Sequence, residues 1–238
     1  MTSIEFAKQH REWYDRGEAR SARRHASDRV RRRLNVVVAL AGLIIAAPAM
    51  LLIALLVKLT SKGPIIYRQQ RIGLDRRNGT IGQANGHRQA DAGGRTFTMY
   101  KFRSMRANGH QDDAEVWAAP DDPRVTRLGR VLRLYRLDEL PQLFNVLVGD
   151  MNVVGPRPEQ PSLFKDLRAR IVGYQHRQRV PPGITGWAQI SHHYDESVDD
   201  VRRKLAFDLE YITRRSVTED VRIMLKTLPV IVFKRGAW

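Results

Sequence analysis

Residues 138–142 read Asp-Glu-Leu-Pro-Gln, so two carboxylates, Asp138 and Glu139, stand side by side in an arginine-rich chain. A carboxylate can act on a phosphate ester in two ways. It can attack phosphorus and form an acyl phosphate, or it can ligate a divalent cation such as Mg²⁺, which suits carboxylate and phosphate oxygens. Cationic side chains able to hold phosphate flank the pair: Lys101 and Arg103 in YKFR, Arg133 just upstream, and Arg157 between two prolines in VGPRP. A guanidinium on a stiff backbone is pre-organised for bidentate phosphate binding. An isolated Asp-Glu pair is ordinarily a solvated turn, and it is this company that gives Asp138 and Glu139 a chemical meaning.

The elements that must position these groups begin with a membrane segment. Residues 34–57, LNVVVALAGLIIAAPAMLLIALLV, carry no charge. A straight helix of that length covers roughly 36 Å, enough for a bilayer core. Residues 1–33 are basic and polar, with Arg29, Arg31, Arg32 and Arg33 just before the run; Lys58, Lys62, Arg68 and Arg71 follow it. Basic flanks favour the cytoplasmic side. Both flanks satisfy that rule only if the segment re-enters, and Pro48 near its middle supplies a place to turn. Spanning helices also contain proline, so the residues alone leave a spanning and a re-entrant helix both open.

Beyond Gly63-Pro64, IIYRQQRIG and TFTMYKFRSM have the β-branched and aromatic content of two strands, and alternation puts Lys101 and Arg103 on one face. Residues 78–95 between them are rich in Gly and Asn without apolar period, as in a flexible insertion or hairpin tip. A helix is expected from about Thr126, with Leu128, Val131, Leu132 and Tyr135 on its buried face. Arg127 and Arg130 lie on the other side, and Arg133 is expected to reach the site. Pro141 disfavours helical geometry at Leu140 and predicts a break there. VPPGITGWAQI reads as a rigid loop whose Trp187 is either exposed or packed. Two helices close the chain, with possible capping boxes at Ser197/Asp200 and Ser216/Glu219. Val217, Val221, Met224, Leu225 and Leu228 form the apolar face of the second.

Composition sets the outer bounds. Lys and Arg number 41 against 25 Asp and Glu, a formal charge of +16, which calls for anionic partners: phospholipid headgroups, phosphorylated substrates or nucleic acid. No cysteine is present, which excludes disulfides, thiol catalysis and Cys-ligated zinc. The histidines lack HExxH spacing, and His192 and His193 read as loop residues. No phosphate-loop or GxGxxG pattern occurs. Nucleic-acid binding accommodates the charge but does not explain a membrane segment beside a Gly/Pro/Arg-rich site. A noncatalytic membrane scaffold for a glycan-assembly complex is the competing reading, and it has no use for a nucleophile.

Together, GPIIYRQQRIG, YKFRSM, DPRVTRLGRVLR, LDELPQLFNVLVGDMNVVGPRP, PGITGWAQI and the FDLEYI and SVTED segments resemble the bacterial sugar transferase family, the monotopic polyprenyl-phosphate phosphoglycosyl transferases. The resemblance covers about residues 34–234. It implies transfer of a sugar 1-phosphate from a UDP-sugar to undecaprenyl phosphate with release of UMP, initiating exopolysaccharide, capsule, O-antigen or glycoconjugate synthesis. Asp138 would be the nucleophile of a covalent phosphosugar intermediate. Glu139 would complete the dyad and, with Asp138, hold Mg²⁺; Lys101, Arg103, Arg133 and Arg157 would bind phosphate. The implied architecture is α+β: a basic segment 1–33, a re-entrant helix 34–57 broken at Pro48, and a cytoplasm-facing catalytic domain 58–238. That domain is mainly helical, with a small antiparallel sheet and amphipathic helices in the interface. The implied location is the bacterial inner membrane, with anionic phospholipid as a partner and a homodimer open.

Three departures from the family pattern stand out. Ala47 replaces the hydroxyl residue often found before the break proline, the insertion at 78–95 is longer than usual, and no extra N-terminal spanning helices of the larger branch are seen. A complete small-branch enzyme, or the catalytic part of its own chain, is the resulting expectation.

Overall fold

A computed structural model describes residues 21–75, 93–106, 122–191 and 198–232. Most of the insertion at 78–95, His192, His193 and Ser197 lie outside them, so those expectations have no structural counterpart.

Helix α1, Ser21–Thr60, includes the basic cluster as well as the apolar run, with Pro48 inside it. It does not end at Pro48. At 1.5 Å per residue it is about 60 Å long, and it is the one described helix long and apolar enough to cross a membrane. Its described buried residues lie on either side of residues 40–52. Arg31, Asn35 and Ala39 are buried towards the N-terminal end, and Ile53 and Val57 towards the C-terminal end. The stretch between them is exposed: Ile44 at 73%, Ile45 at 79% and Leu51 at 73% of full exposure.

Strands β1, Ile66–Ile72, and β2, Thr96–Phe102, pair antiparallel with Tyr67 opposite Lys101 and Arg71 opposite Phe97. Directly opposed residues share a face, so Arg71 and Lys101 project from the same side of the ribbon. The next helix, α2, spans Arg127–Leu134; Thr126 caps it by accepting from the Gly129 amide at 2.8 Å. A Cβ at Gly129 would lie 1.9 Å from the Ser104 carbonyl oxygen, so only glycine lets α2 rest on the end of β2. A 3₁₀ turn, Leu137–Glu139, leads into α3, Gln142–Val148. Strand β3, Asn152–Val154, precedes α4, Pro161–Arg170; a second 3₁₀ turn, Tyr174–Arg179, leads to β4, Gly183–Thr185. Helices α5, Trp187–Ser191, α6, Val198–Arg214, and α7, Val217–Val232, complete the described chain.

The architecture is mixed helix and small sheet, with two separate strand pairs among the described residues. The expected antiparallel ribbon is present. The second pair, β3 with β4, is parallel, and β4 occupies the segment read as a rigid loop. Gly155 and Gly183 explain it: a Cβ on Gly183 would come within 2.1 Å of the Gly155 nitrogen, so these glycines permit close backbone approach.

Asn145 is the pivot between α3 and the ribbon. Wholly buried, it donates to the Thr98 carbonyl at 2.7 Å and accepts from the Tyr100 amide at 3.1 Å. Leaving either backbone group unpaired would cost about 1–3 kcal/mol. Arg32 of α1 donates to the carbonyls of Val146 and Leu147 at the C-terminal end of α3, and Arg103 donates to those of Val57 and Ser61 at the end of α1. Both place a cation at the negative end of a helix.

Three local expectations need correction. Leu140 is helical, at φ −52° and ψ −38°; the break comes earlier, at Arg136, whose φ of 57° is left-handed. The statistical constraint on the residue before proline has been overridden by packing that carries the chain straight from the 3₁₀ turn into α3. Of the four residues expected on the buried face of α2 only Leu132 is buried, while Val131 and Tyr135 are 49% and 38% exposed. On α7 the inward residues are Asp220 and Ile223, whereas Leu225 and Leu228 of the apolar face point outward. The Ser216 cap of α7 is present, its Oγ accepting from the Glu219 amide at 3.1 Å.

Candidate active site

The dyad sits on the 3₁₀ turn between α2 and α3, with both carboxylates buried: Asp138 is 5% and Glu139 6% exposed. Arg136 reverses the chain immediately before it. A left-handed conformation at a non-glycine residue costs on the order of 1–2 kcal/mol. Here it is held by the Glu139 amide donating to the Arg136 carbonyl at 3.1 Å, and by an ion contact of 3.8 Å between the Arg136 and Glu139 side chains.

The two carboxylates have unlike surroundings. Glu139 Oε1 accepts from Lys101 Nζ at 3.0 Å, supplied by β2, and from Arg157 Nη2 at 2.8 Å, supplied by the loop after β3. Asp138 is 4.0 Å from Lys101 Nζ and accepts no hydrogen bond from the described residues. Burial alone would raise the pKa of Glu139, but Arg157, Lys101 and Arg136 outweigh it and hold this carboxyl well below the ordinary range. For Asp138 burial prevails: it pushes the pKa up against the pull of Lys101, and the neighbouring Glu139 charge pushes the same way. Glu139 is thus a fixed anion, while Asp138 is a more basic carboxylate with its lone pairs uncommitted. Burial lowers the Lys101 ammonium pKa, opposed by Glu139 and reinforced by Arg157.

Arg133 donates to Ser104 Oγ at 3.2 Å, and its charge is among those that lower the Asp138 pKa. Arg103 is not brought to the dyad. Strand β2 ends at Phe102, and Arg103 Nη2 turns to Ser61, donating to its carbonyl at 2.6 Å and its hydroxyl at 2.9 Å. Pro48 is remote from the dyad in role: it lies in the exposed middle of α1.

Several participating residues escaped the sequence reading. Arg177 is a buried hub: Nε donates to Asp208 at 2.7 Å, Nη1 to Glu159 at 3.1 Å, and Nη2 to the Arg157 backbone carbonyl at 3.0 Å. Glu159 also meets Lys204 of α6 at 3.5 Å. Burial would raise Glu159, but Lys204, Arg177 and Arg71 bring it down to about 2. This network fixes the backbone that carries Arg157. Arg71 donates to the Pro158 carbonyl at 3.1 Å from the facing ribbon. No local pattern marks these residues, because their partners come from distant parts of the chain. The one available signal was the alternation in IIYRQQRIG, which puts Tyr67, Gln69 and Arg71 on a single face. Trp187 is packed: it begins α5, donates to Glu210 at 3.0 Å, and has Lys226 Nζ 5.0 Å above its ring.

The donor set is compatible with Mg²⁺ of a particular kind. No cluster of three or more His, Asp or Glu side chains able to hold a metal occurs among the described residues. Asp138 and Glu139 supply at most a carboxylate pair, and Mg²⁺ is commonly bound by one or two carboxylates with the rest of its shell from substrate phosphates and water. The uncommitted oxygens of Asp138 fit that arrangement.

A buried carboxylate pair with Lys101, Arg136 and Arg157 around it, in a domain packed against a long apolar helix, is the arrangement of a membrane-associated protein with a cation-rich candidate site. The sequence profile of the bacterial sugar transferase family matches residues 26–234, and the chain belongs to that family. It is 40% identical over 208 residues to a UDP-N-acetylgalactosamine-undecaprenyl-phosphate N-acetylgalactosaminephosphotransferase of Aeromonas hydrophila, covering 87% of this chain and 45% of the relative. It is 38% identical over 217 residues to a UDP-glucose:undecaprenyl-phosphate glucose-1-phosphate transferase of Caulobacter vibrioides, covering 90% of this chain and 74% of the relative. The exopolysaccharide production protein ExoY of Sinorhizobium fredii is 34% identical over 222 residues, with 87% of this chain and 88% of the relative covered. The match spans less than half of the Aeromonas relative, and 39% of the Escherichia coli glucose-1-phosphate transferase.

Lys101 is the largest charge opposing the upward shift of Asp138. In Lys101→Met the Asp138 carboxyl should therefore titrate at still higher pH. A carboxyl-selective NMR titration, with Asp138→Asn to assign the signal, reads this directly. An Asp138 titration unchanged or moved to lower pH contradicts the assignment of charges.

Proposed function

We propose that this chain transfers a sugar 1-phosphate from a UDP-sugar to a polyprenyl phosphate with release of UMP, through a covalent intermediate on Asp138. The observation that carries the reading is the division of labour within the dyad: Glu139 is clamped by Lys101 and Arg157, and Asp138 is left basic and without hydrogen bonds. The names of the relatives, which act on UDP-sugars and undecaprenyl phosphate, agree with it.

In the first step an Asp138 oxygen bonds to the sugar-bearing phosphorus. The bond from that phosphorus to the bridging oxygen breaks, and UMP leaves with the electron pair. In the second, an oxygen of the lipid phosphate attacks the same phosphorus and the Asp138 carboxylate is returned. Arg157 and Arg133 offset charge on the transferring group. Asp138 and Glu139 are the residues that would hold Mg²⁺, which when bound supplies further neutralisation of the diphosphate. A noncatalytic scaffold would have no need of a buried carboxylate kept uncommitted in this way. The product class, a lipid-linked sugar phosphate, is the starting point for exopolysaccharide, capsule, O-antigen or glycoconjugate assembly.

The membrane helix is read as re-entrant, with the catalytic domain on the cytoplasmic face of the inner membrane. Support comes from the two ends of α1. At one end Arg31 donates to Asp220 at 2.7 Å and Asn35 accepts from the Val153 amide at 2.6 Å; at the other, Val57 and Ser61 accept from Arg103. Both ends are bound to the same domain, and a domain on one side of a bilayer cannot hold both ends of a helix that crosses it. The exposed apolar middle around Pro48 is then the part that dips into lipid, joined by the outward Leu225 and Leu228 of α7.

Two experiments bear on this proposal. Purified protein given Mg²⁺ and a panel of UDP-hexoses should release no more than about one UMP per enzyme without lipid and many when undecaprenyl phosphate is added, and Asp138→Asn should lower the rate by at least about 10³-fold. Folded, lipid-bound protein that releases no UMP across the panel rules the transfer reaction out. For topology, single cysteines placed at Arg29 and at Lys62 of this cysteine-free chain should react with an impermeant thiol reagent from the same side of the membrane. Labelling from opposite sides rules out re-entry.

A further inference from the structure

Arg71 is a cation without an anion. It is half-buried between the ribbon and the loop that carries Arg157, and no carboxylate among the described residues comes within ion-pair distance of it. Its partners are neutral: Nη1 donates to the Pro158 carbonyl at 3.1 Å and Nη2 to the Gln69 side-chain oxygen. Nε is buried with no acceptor. Nearby carboxylates are already taken: Glu139 by Lys101 and Arg157, Glu159 by Arg177 and Lys204. Burial and the Arg157 charge both work against the guanidinium, bringing its pKa down to about 10, although Glu159 opposes them. It stays charged at neutral pH, and holding it there without a counter-ion is unfavourable. An anion arriving from outside the protein would relieve that cost.

We propose that Arg71 is a further phosphate-binding residue of this site, taking the phosphate that leaves with the nucleotide. The inference rests on the transferase reading and deepens it. Arg71 shares a ribbon face with Lys101, so it is aimed into the same site. Its Nη1 holds the Pro158 carbonyl, next along the chain to Arg157, whose guanidinium donates to Glu139. Arg71 therefore stands beside the Arg157 arm that clamps Glu139. The phosphorus under attack must lie against Asp138; the departing phosphate of the diphosphate lies on the far side of it, in line with the bond that breaks. A guanidinium with a free Nε suits a phosphate oxygen there.

The test is binding of UMP, of uridine and of undecaprenyl phosphate to the full chain in nanodiscs, for wild type, Arg71→Gln and Arg71→Lys. Arg71→Gln is expected to weaken UMP binding about 10- to 100-fold while uridine and the lipid phosphate bind as before. Arg71→Lys, which keeps the charge and loses the fork, is expected to fall between the two and serves in place of Arg71→Gln should that variant not fold. Equal weakening of UMP and uridine makes the role structural and overturns the proposal, as does a loss confined to the lipid phosphate or no loss at all. Wild-type protein that binds no UMP refutes the underlying transferase reading and this proposal with it; wild-type binding that survives in both variants refutes this proposal alone.

Discussion

The Glu139 carboxylate is held from two sides by groups that local sequence keeps far apart: Lys101 from the ribbon and Arg157 from the loop after β3. Buried ions of one sign are expensive, and a buried pair with good geometry recovers that cost only when each member is fixed. Much of the remaining fold can be read as the means of fixing them. Asn145 docks α3 onto the backbone of β2 one turn beyond the dyad. Arg177, anchored by Asp208 and Glu159, holds the Arg157 carbonyl, so the helix α6 bears on the dyad through two arginines. What this arrangement leaves over is as important as what it ties down. With Lys101 and Arg157 both drawn to Glu139 Oε1, Asp138 keeps its lone pairs for another partner.

Helix α1 is bound into the domain rather than hung from it. Arg31 is 2% exposed and reaches Asp220 and, at 2.6 Å, the Tyr211 hydroxyl; Tyr211 in turn donates to Asp220 at 2.8 Å. Ala39 packs with Met99 and Val146, and Val57 packs with Phe102 and Leu132. These contacts touch both β2, which carries Lys101, and α3, which follows the dyad. Bilayer insertion and site geometry are thereby coupled through one element: disturbing the seat of α1 disturbs the strand and the helix that frame the carboxylates.

The features legible in the sequence were those with a local signature. The Asp138-Glu139 pair, the apolar run, the antiparallel ribbon, the Thr126 start of α2 and the Ser216 cap all depend on residues within a few positions of one another. The family resemblance was carried by long contiguous segments of the same kind. Arg103 shows the limit of alternation: the face assigned from β2 stops applying where the strand ends at Phe102, and Arg103 turns to the end of α1. Leu140 shows how a local preference yields to packing. The parallel β3–β4 pair and the Arg177 network depend on contacts between remote segments, for which a single sequence holds no period or motif. Helix α7 shows a different ambiguity, since an apolar stripe reads alike whether it faces a protein core or a lipid surface.

The most direct measurement of the central claim, that Asp138 is left free to attack phosphorus, is mass spectrometry of the intact protein and its peptides after exposure to Mg²⁺ and the UDP-hexose panel with no lipid acceptor. A peptide containing Asp138 should gain the mass of one sugar phosphate, in a stoichiometry matching the UMP released, and lose it when undecaprenyl phosphate is added. Turnover in the presence of lipid with no adduct in its absence, or an adduct on a residue other than Asp138, would contradict the account.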